Sequence, residues 1–240
     1  MVKNAVVFCG QGGLDCQELR VGVLRIPEVT LRLREAQQYL DSQGINQIDL
    51  MNFICSEDDV FLRDKILRSL SASIVQIGLR DRLLRSQKQL DFLVGSSSGE
   101  SALRVCAGRM EFSSLVQNAV EKWLSAHSAK VIPLVMDSSN SGSTVGNGDY
   151  QAYSARVDEG GQIRYTSVRE GISDLKQILS LLREEYGITR FISIGPAYLL
   201  RPEDVSQFAM DEIEILDSIE LDPMLGWFWV TIRPQSMVAQ

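Results

Sequence analysis

The chain has 240 residues, which is enough for one α/β domain with a full core or for two smaller domains. Hydrophobic residues make up 45% and charged residues 23%, as in ordinary globular proteins, and the net charge of −7 argues against nucleic acid or an anionic membrane as a partner. No run approaches the roughly 20 apolar residues of a membrane span, and no signal peptide precedes the apolar residues 5–8. The four cysteines lack metal or disulfide-framework spacing, so we expect free thiols in a cytoplasmic protein.

The first part of the chain predicts a buried strand, a glycine-rich turn and several helices. Leu33, Ala36 and Leu40 recur at helical spacing, and Gly44 ends that pattern. The apolar residues after position 70 predict a central, buried helix. The predicted elements are a strand at 4–8, a turn at 10–13 and helices at 29–43, 57–70 and 71–87.

The rest of the chain continues to alternate strands and helices. Alternation of this kind predicts one domain over residues 1–240, with a mostly parallel sheet and helices on both faces. Residues 137–149 are a polar, low-complexity stretch; we favour a mobile surface loop over a lid or a linker. The predicted elements are strands at 91–95, 131–136, 191–194, 213–219 and 227–232, helices at 99–107, 112–126 and 168–186, and a hairpin at 150–165.

Residues 94–100, Val-Gly-Ser-Ser-Ser-Gly-Glu, form the most informative motif. They close a hydrophobic run and open a helical one, which predicts a strand, a tight turn and a helix with Ser97 at the turn. A serine on such a turn is lifted out of the sheet, and the next backbone N–H and the helix N-terminus face the same anion. From these residues alone, a helix N-cap run and a nucleophile turn are equally good interpretations.

Three motifs, in order along the chain, resemble the malonyl-CoA:acyl-carrier-protein transacylases. Residues 95–100 are similar to that family's Gly-His-Ser-Leu-Gly-Glu, and a Ser-Ala-Leu run, the turn at Gly108 and Phe112 follow as they do in the family. Residues 8–12, Phe-Cys-Gly-Gln-Gly, look like its Phe-Pro-Gly-Gln-Gly. Residues 191–196, Phe-Ile-Ser-Ile-Gly-Pro, are similar to its Val-Gly-Pro-Gly.

The resemblance implies an α/β-hydrolase-like acyltransferase core with Ser97 as the nucleophile. The backbone N–H groups of Gln11 and Ser98 would form the oxyanion hole. An acyl group would pass from coenzyme A, with a malonyl-CoA-like thioester as substrate, to Ser97 and then to the phosphopantetheine thiol of an acyl carrier protein. The resemblance thus implies a role in fatty-acid or polyketide biosynthesis, with no metal and no permanently bound cofactor.

The chain departs from the family where the general base should be. The family's histidine lies just beyond a small ferredoxin-like subdomain, but here residues 130–135 already resemble the strand that follows it. We therefore expect that the subdomain and its histidine are missing. His127, the single histidine, is interpreted as an exposed residue at a helix end, and Ser96 replaces the histidine beside the nucleophile. Glu100 and Asp137 are weaker candidate bases.

The carboxylate-binding arginine of the family is also replaced. Counting from Phe112, Lys122 takes its place, keeping the charge without the bidentate fork, and Arg169 is a second candidate cation. Two hypotheses follow: an acyltransferase with an altered base, or a catalytically degenerate homologue that serves as a binding or scaffold module in a biosynthetic complex. The apolar residues 224–230 would then cover the exposed face or contact a partner, although a buried last strand is the favoured interpretation.

Overall fold

Helices and strands alternate along much of the chain, which confirms the α/β class predicted from the sequence. The computed structural model describes residues 3–8, 14–86, 90–95, 99–128, 150–172, 174–195, 208 and 213–218. Its elements in chain order are β1 (Asn4–Phe8), α1 (Gln17–Val23), α2 (Pro27–Ser42), α3 (Leu50–Ile54), α4 (Asp58–Arg63), α5 (Lys65–Ser86), β2 (Phe92–Gly95), α6 (Glu100–Cys106), α7 (Phe112–Ser128), β3 (Tyr150–Val157), β4 (Ile163–Ile172), α8 (Leu175–Tyr186), β5 (Arg190–Ile194) and β6 (Glu214–Asp217).

The described strands form one mixed sheet in the order β4-β3-β2-β1-β5-β6. Strand β1 pairs in parallel with β2 and β5, and β5 pairs in parallel with β6. Strand β3 is antiparallel to both β2 and β4, so the prediction of a mostly parallel sheet is corrected to a mixed sheet. Strands β3 and β4 are antiparallel because a tight turn joins them. In this turn Gly161 adopts a φ of 77°, and the Asp158 N–H donates to the Gln162 carbonyl. A connection this short permits only antiparallel pairing.

Side chains of β1 alternate between two hydrophobic cores, one on each face of the sheet. Val6 and Phe8 pack into the larger core, which contains side chains of α2, α5, α6 and α7. Ala5 and Val7 pack into the smaller core with Ile178 and its neighbours on α8. Period-two alternation in a strand buried on both faces produces this arrangement. Helices therefore cover both faces of the sheet.

Helix α5 is the long buried helix of the larger core. Residues predicted as two helices, 57–70 and 71–87, instead form the short α4 and a continuous 22-residue α5. Asp64 separates them, because its Oδ1 accepts the N–H groups of Ile66 and Leu67 and so caps α5. Helix α5 packs closely on α2: a Cβ added to Gly78 would lie 2.6 Å from the Val29 Cα.

The helix predicted at 168–186 begins later than the sequence suggests. Residues up to Ile172 belong to β4, and Asp174 then caps α8 by accepting the N–H of Lys176. Gly187, with a φ of 67°, ends α8 as predicted. None of the described helices is long and apolar enough to cross a membrane. The predictions at 131–136, 137–149 and 227–232 lie outside the described residues.

A fully buried arginine, Arg20, connects α1 to Leu14 and to the residues around α3 and α4. Its guanidinium forms an ion pair with Asp58 at 2.9 Å and lies over the Phe61 ring at 4.1 Å. A buried charge is tolerated only when its donors are satisfied. Here they donate to the backbone carbonyls of Leu14 at 2.8 Å, Ile54 at 2.9 Å and Ser56 at 2.6 Å.

Replacing Arg20 with methionine is expected to lower the free energy of unfolding by about 3 kcal/mol. The loss arises because three carbonyls and one carboxylate lose their donor, while the methionine fills most of the volume. Urea unfolding followed by circular dichroism measures the change. Arg34→Met, on the exposed face of α2, is the matched control and should change stability by no more than about 0.5 kcal/mol. Equal stability of both variants would contradict a structural role for Arg20.

Candidate functional site

The carboxyl ends of three parallel strands meet at one edge of the sheet. Phe8, the last residue of β1, is in register with Gly95 of β2 on one side and with Ile194 of β5 on the other. In the sheet, β2 lies on one side of β1, and β5 and then β6 lie on the other side. Ligands of open α/β sheets bind at such a change of direction, outside the carboxyl ends of the strands. The three sequence motifs all follow strands that end here.

Gly95 and Gly99, on either side of the serine motif, lie directly against the end of β1. Only residues 96–99 separate the last residue of β2 from the first residue of α6. A Cβ added to Gly99 would lie 2.1 Å from the Phe8 carbonyl oxygen, and one added to Gly95 would lie 3.1 Å from the Phe8 Cβ. Position 99 therefore requires glycine, and a side chain at position 95 would be tightly packed against Phe8. Ser97, Ser98 and Gln11 themselves lie outside the described residues.

A cleft of about 1020 Å³ extends from the start of α6 between α5 and α7. Lys122 of α7 is exposed and lines this cleft, so the predicted substrate-binding lysine shares a cavity with the first residues of α6. Lys65 and Arg104 add two further cations that the sequence did not single out. Lys65 lies on α5 and Arg104 on α6, and only the packing of these two helices brings both side chains to the cleft. Polar groups supply much of the remaining lining, including Ser69, Ser73, Ser101 and Asn118.

Glu100, a candidate base, also lines the cleft at the first position of α6. Its Oε1 accepts a hydrogen bond from Gln151 at 3.4 Å and lies 3.7 Å from Nη1 of Arg104. A carboxylate in the first turn of a helix is also favoured by the helix dipole. These contacts place the Glu100 carboxylate beside a cation at the start of α6. The other candidate carboxylate, Asp137, lies outside the described residues.

His127 lies at the C-terminal end of α7, in a cavity other than the cleft. It lies exposed in the last turn of α7, its Nδ1 is 2.8 Å from the Trp123 carbonyl oxygen, and the two rings stack with centroids 4.1 Å apart. The Trp123 indole in turn donates to Asp64 at 2.7 Å. His127 lines a separate cavity near the start of α5 and is not part of the lining of the larger cleft. The interpretation as an exposed helix-end histidine is confirmed.

The last candidate, Arg169, belongs to β4, where it is paired with Ala152 of β3. The direction of its side chain is not described. Ala152 pairs in turn with Val94 of β2, so the Arg169 backbone lies two strands from the strand that leads into the serine turn. Lys122 is thus the candidate cation that the described side chains place in the cleft.

No family model matches this chain, and no curated protein matches it. Among the residues that the structure describes, no group of three or more His, Cys, Asp or Glu side chains is arranged to hold a metal ion. The candidate site is therefore defined by the geometry of the strand ends and by the three sequence motifs that follow them.

Gly99→Ala is expected to destabilise the fold by about 2 kcal/mol, because the new methyl group would overlap the Phe8 carbonyl and the backbone would have to move. Urea unfolding of the purified variant measures the loss. Ser101→Ala, one residue into the same helix, is the control and should stay within about 0.5 kcal/mol of the parent. Unchanged stability of Gly99→Ala would show that Gly99 is not in close contact with β1.

Helix α6 also carries a buried thiol, Cys106. Cys16, Cys55 and Cys106 are free, as the sequence predicts for these three cysteines. Burial raises the pKa of the Cys106 thiol from 9.0 to about 12, with the nearby Arg80 guanidinium opposing the shift. The folded protein therefore keeps this thiol protonated at pH values where an unfolded chain would ionise it.

This shift predicts a loss of stability at alkaline pH. The folded pKa is raised, so the contribution is complete below the unfolded pKa near 9 and is lost as the pH rises towards 12. Between about pH 8 and pH 10 the free energy of unfolding should fall by about 1 kcal/mol more in the parent than in Cys106→Ala. Urea unfolding at both pH values gives the two slopes. If the free energy of unfolding fell equally with pH in the parent and in Cys106→Ala, the burial of the thiol would be contradicted.

Proposed function

We propose that the protein is an acyltransferase of the malonyl-CoA:acyl-carrier-protein transacylase type, with Ser97 as its acyl-carrying nucleophile and an α/β-hydrolase-like core. The observation that carries the proposal is the contact of Gly99 with the Phe8 carbonyl at the edge where β1 and β2 end. A close glycine contact between a strand–turn–helix and its neighbouring strand is the context that a nucleophile turn requires. The same contact is not needed by a simple helix N-cap.

In the proposed reaction, the Ser97 hydroxyl attacks the thioester carbonyl of an acyl-CoA. The backbone N–H groups of Gln11 and Ser98 stabilise the oxyanion, the C–S bond breaks and the coenzyme A thiol leaves with the serine proton. The phosphopantetheine thiol of an acyl carrier protein then attacks the ester and regenerates Ser97. Lys122 supplies the positive charge for a malonyl carboxylate in the cleft, with Arg169 as the second candidate.

The proposal includes a single domain that lacks the small ferredoxin-like subdomain. Helix α7 ends at Ser128 and β3 begins at Tyr150, so residues 129–149 are all that lie between them. Four strands and two helices of ordinary length need about 40 residues before any loop is counted. The interval is too short for such an insertion, which supports its absence.

The missing subdomain leaves the proposed nucleophile without a histidine base. The chain has one histidine, and it stacks on Trp123 outside the cleft. General-base assistance typically contributes about 10²–10⁴-fold, so acyl loading on Ser97 should be slow unless Glu100, Asp137 or a partner protein accepts the proton. Carbonyl activation by the oxyanion hole alone still leaves measurable turnover on a thioester.

The position of His127 also favours a second candidate function. A catalytically degenerate homologue would keep the fold and the cleft but bind an acyl carrier protein, or another protein of a fatty-acid or polyketide biosynthetic complex, as a scaffold module. The two functions share their partner class and differ in whether Ser97 becomes acylated.

Intact-mass spectrometry after incubation with malonyl-CoA separates them. The acyltransferase predicts one malonyl adduct on the parent protein and none on Ser97→Ala. Lys122→Met should slow loading from malonyl-CoA more than loading from acetyl-CoA, because it removes the charge that pairs with the free carboxylate. His127→Ala is the matched control and should load at the parent rate.

Absence of any adduct with malonyl-, acetyl- or longer acyl-CoA would reject the transferase. The scaffold hypothesis would then predict that Ser97→Ala binds an acyl carrier protein as tightly as the parent does, measured by calorimetry. An adduct that persists in Ser97→Ala would instead show that another residue is the nucleophile.

A further inference from the structure

A separate cavity of about 560 Å³ lies at the other end of α6, between α5, the C-terminal turn of α6 and β4. Three arginines from different parts of the chain line it: Arg80 of α5, Arg109 after α6 and Arg164 of β4. No aspartate or glutamate is among its described lining residues. The charged side chains that line the cavity are thus all arginines.

Arg80 is the most buried of the three, with 19% of its side chain exposed. Its Nη1 donates to Asp81 at 3.1 Å, and its Nη2 is 3.5 Å from the Cys106 carbonyl oxygen. Its Nε is buried and has no hydrogen-bond partner among the described residues. Asp81 also binds Arg32 at 2.7 Å, so one carboxylate is shared by two guanidinium groups. Arg32 also binds Glu35 at 2.8 Å, so two guanidinium groups and two carboxylates form one network beside the cavity.

The other two arginines, Arg109 and Arg164, are exposed. Gly108, with a φ of 66°, ends α6 and directs the chain into Arg109, whose Nη2 donates to the Tyr165 carbonyl at 3.0 Å. None of the described carboxylates pairs with Arg109. Arg164 binds Asp158 through Nε at 2.8 Å. A planar guanidinium has five donors, so these contacts leave donors of both residues for a ligand.

We propose that this cavity binds the phosphoryl group of a small molecule. Guanidinium groups match phosphate oxygens in a bidentate fork, and three of them supply more donors than the two oxygens of a carboxylate accept. Leu84, Val105 and Ile163 provide apolar walls for the rest of the ligand, and the volume is that of a small-molecule site. The site lies away from the cleft that contains Lys122, and it does not depend on the proposed acyl transfer.

Titration of the full chain with inorganic pyrophosphate, followed by calorimetry, tests the proposal. We expect saturable binding to one site, weakened about tenfold by Arg109→Gln and again by Arg164→Gln, because each removes charged hydrogen-bond donors. Both residues are exposed, so the variants should fold, and circular dichroism confirms that they do. Arg80→Lys keeps the charge but loses the fork and should also weaken binding. Arg34→Gln, which removes the same charge from α2, is the control and should bind as the parent does.

Several results would overturn the proposal. Absence of binding at millimolar pyrophosphate would do so, and so would equal weakening by Arg34→Gln, which would indicate only a general effect of net charge. Equal affinity for malonate at the same ionic strength would show that the site does not select a phosphoryl group. Loss of binding in Lys122→Met, with full binding in Arg109→Gln, would place the anion in the other cleft.

Discussion

The structure depends on the pairing of β1 at the centre of the sheet. This five-residue strand is bonded on both edges and buried on both faces, so neither its register nor its orientation can change without exposing one of the two cores. Its last residue, Phe8, is consequently a fixed point. Gly99 and Gly95 both contact Phe8, and the start of α6 takes its position from that contact. The candidate site is built outward from a strand end that the core holds rigid.

Helix α6 links two differently charged environments over only seven residues. Its first residue borders a cleft that mixes cations, carboxylates and hydroxyl groups, and its last residues border a cavity lined by arginines. The buried Cys106 lies in the second environment, where burial suppresses its ionisation although a guanidinium is nearby. Desolvation outweighs a single favourable charge at this depth. The two ends of α6 thus border two cavities with different linings.

The sequence predicted the features that depend on local chemistry. A hydrophobic run followed by small residues identified β2 and α6, and Gly44 and Gly187 marked helix ends. Features that depend on distant contacts were missed. Residues up to Ile172 were assigned to a helix because their pairing with β3 is not visible in a local pattern, and Asp64 was not recognised as the cap that separates α4 from α5. Lys65 and Arg104 were overlooked for the same reason, since only packing brings α5 and α6 together.

The register of β1 has a consequence for the order in which the chain folds. Asn4 pairs with Arg190, and Ala5 pairs with Phe92, so both partners of the first strand are made long after it. Contacts between residues so far apart in sequence slow folding. The chain loses conformational entropy when it closes the long loop, before the strand pairing stabilises the closed form. During synthesis, β1 must remain an unpaired apolar segment until β2 emerges, and its second edge stays open until β5 does. A nascent chain in which β5 has not yet been made would therefore leave this edge of β1 open to other chains.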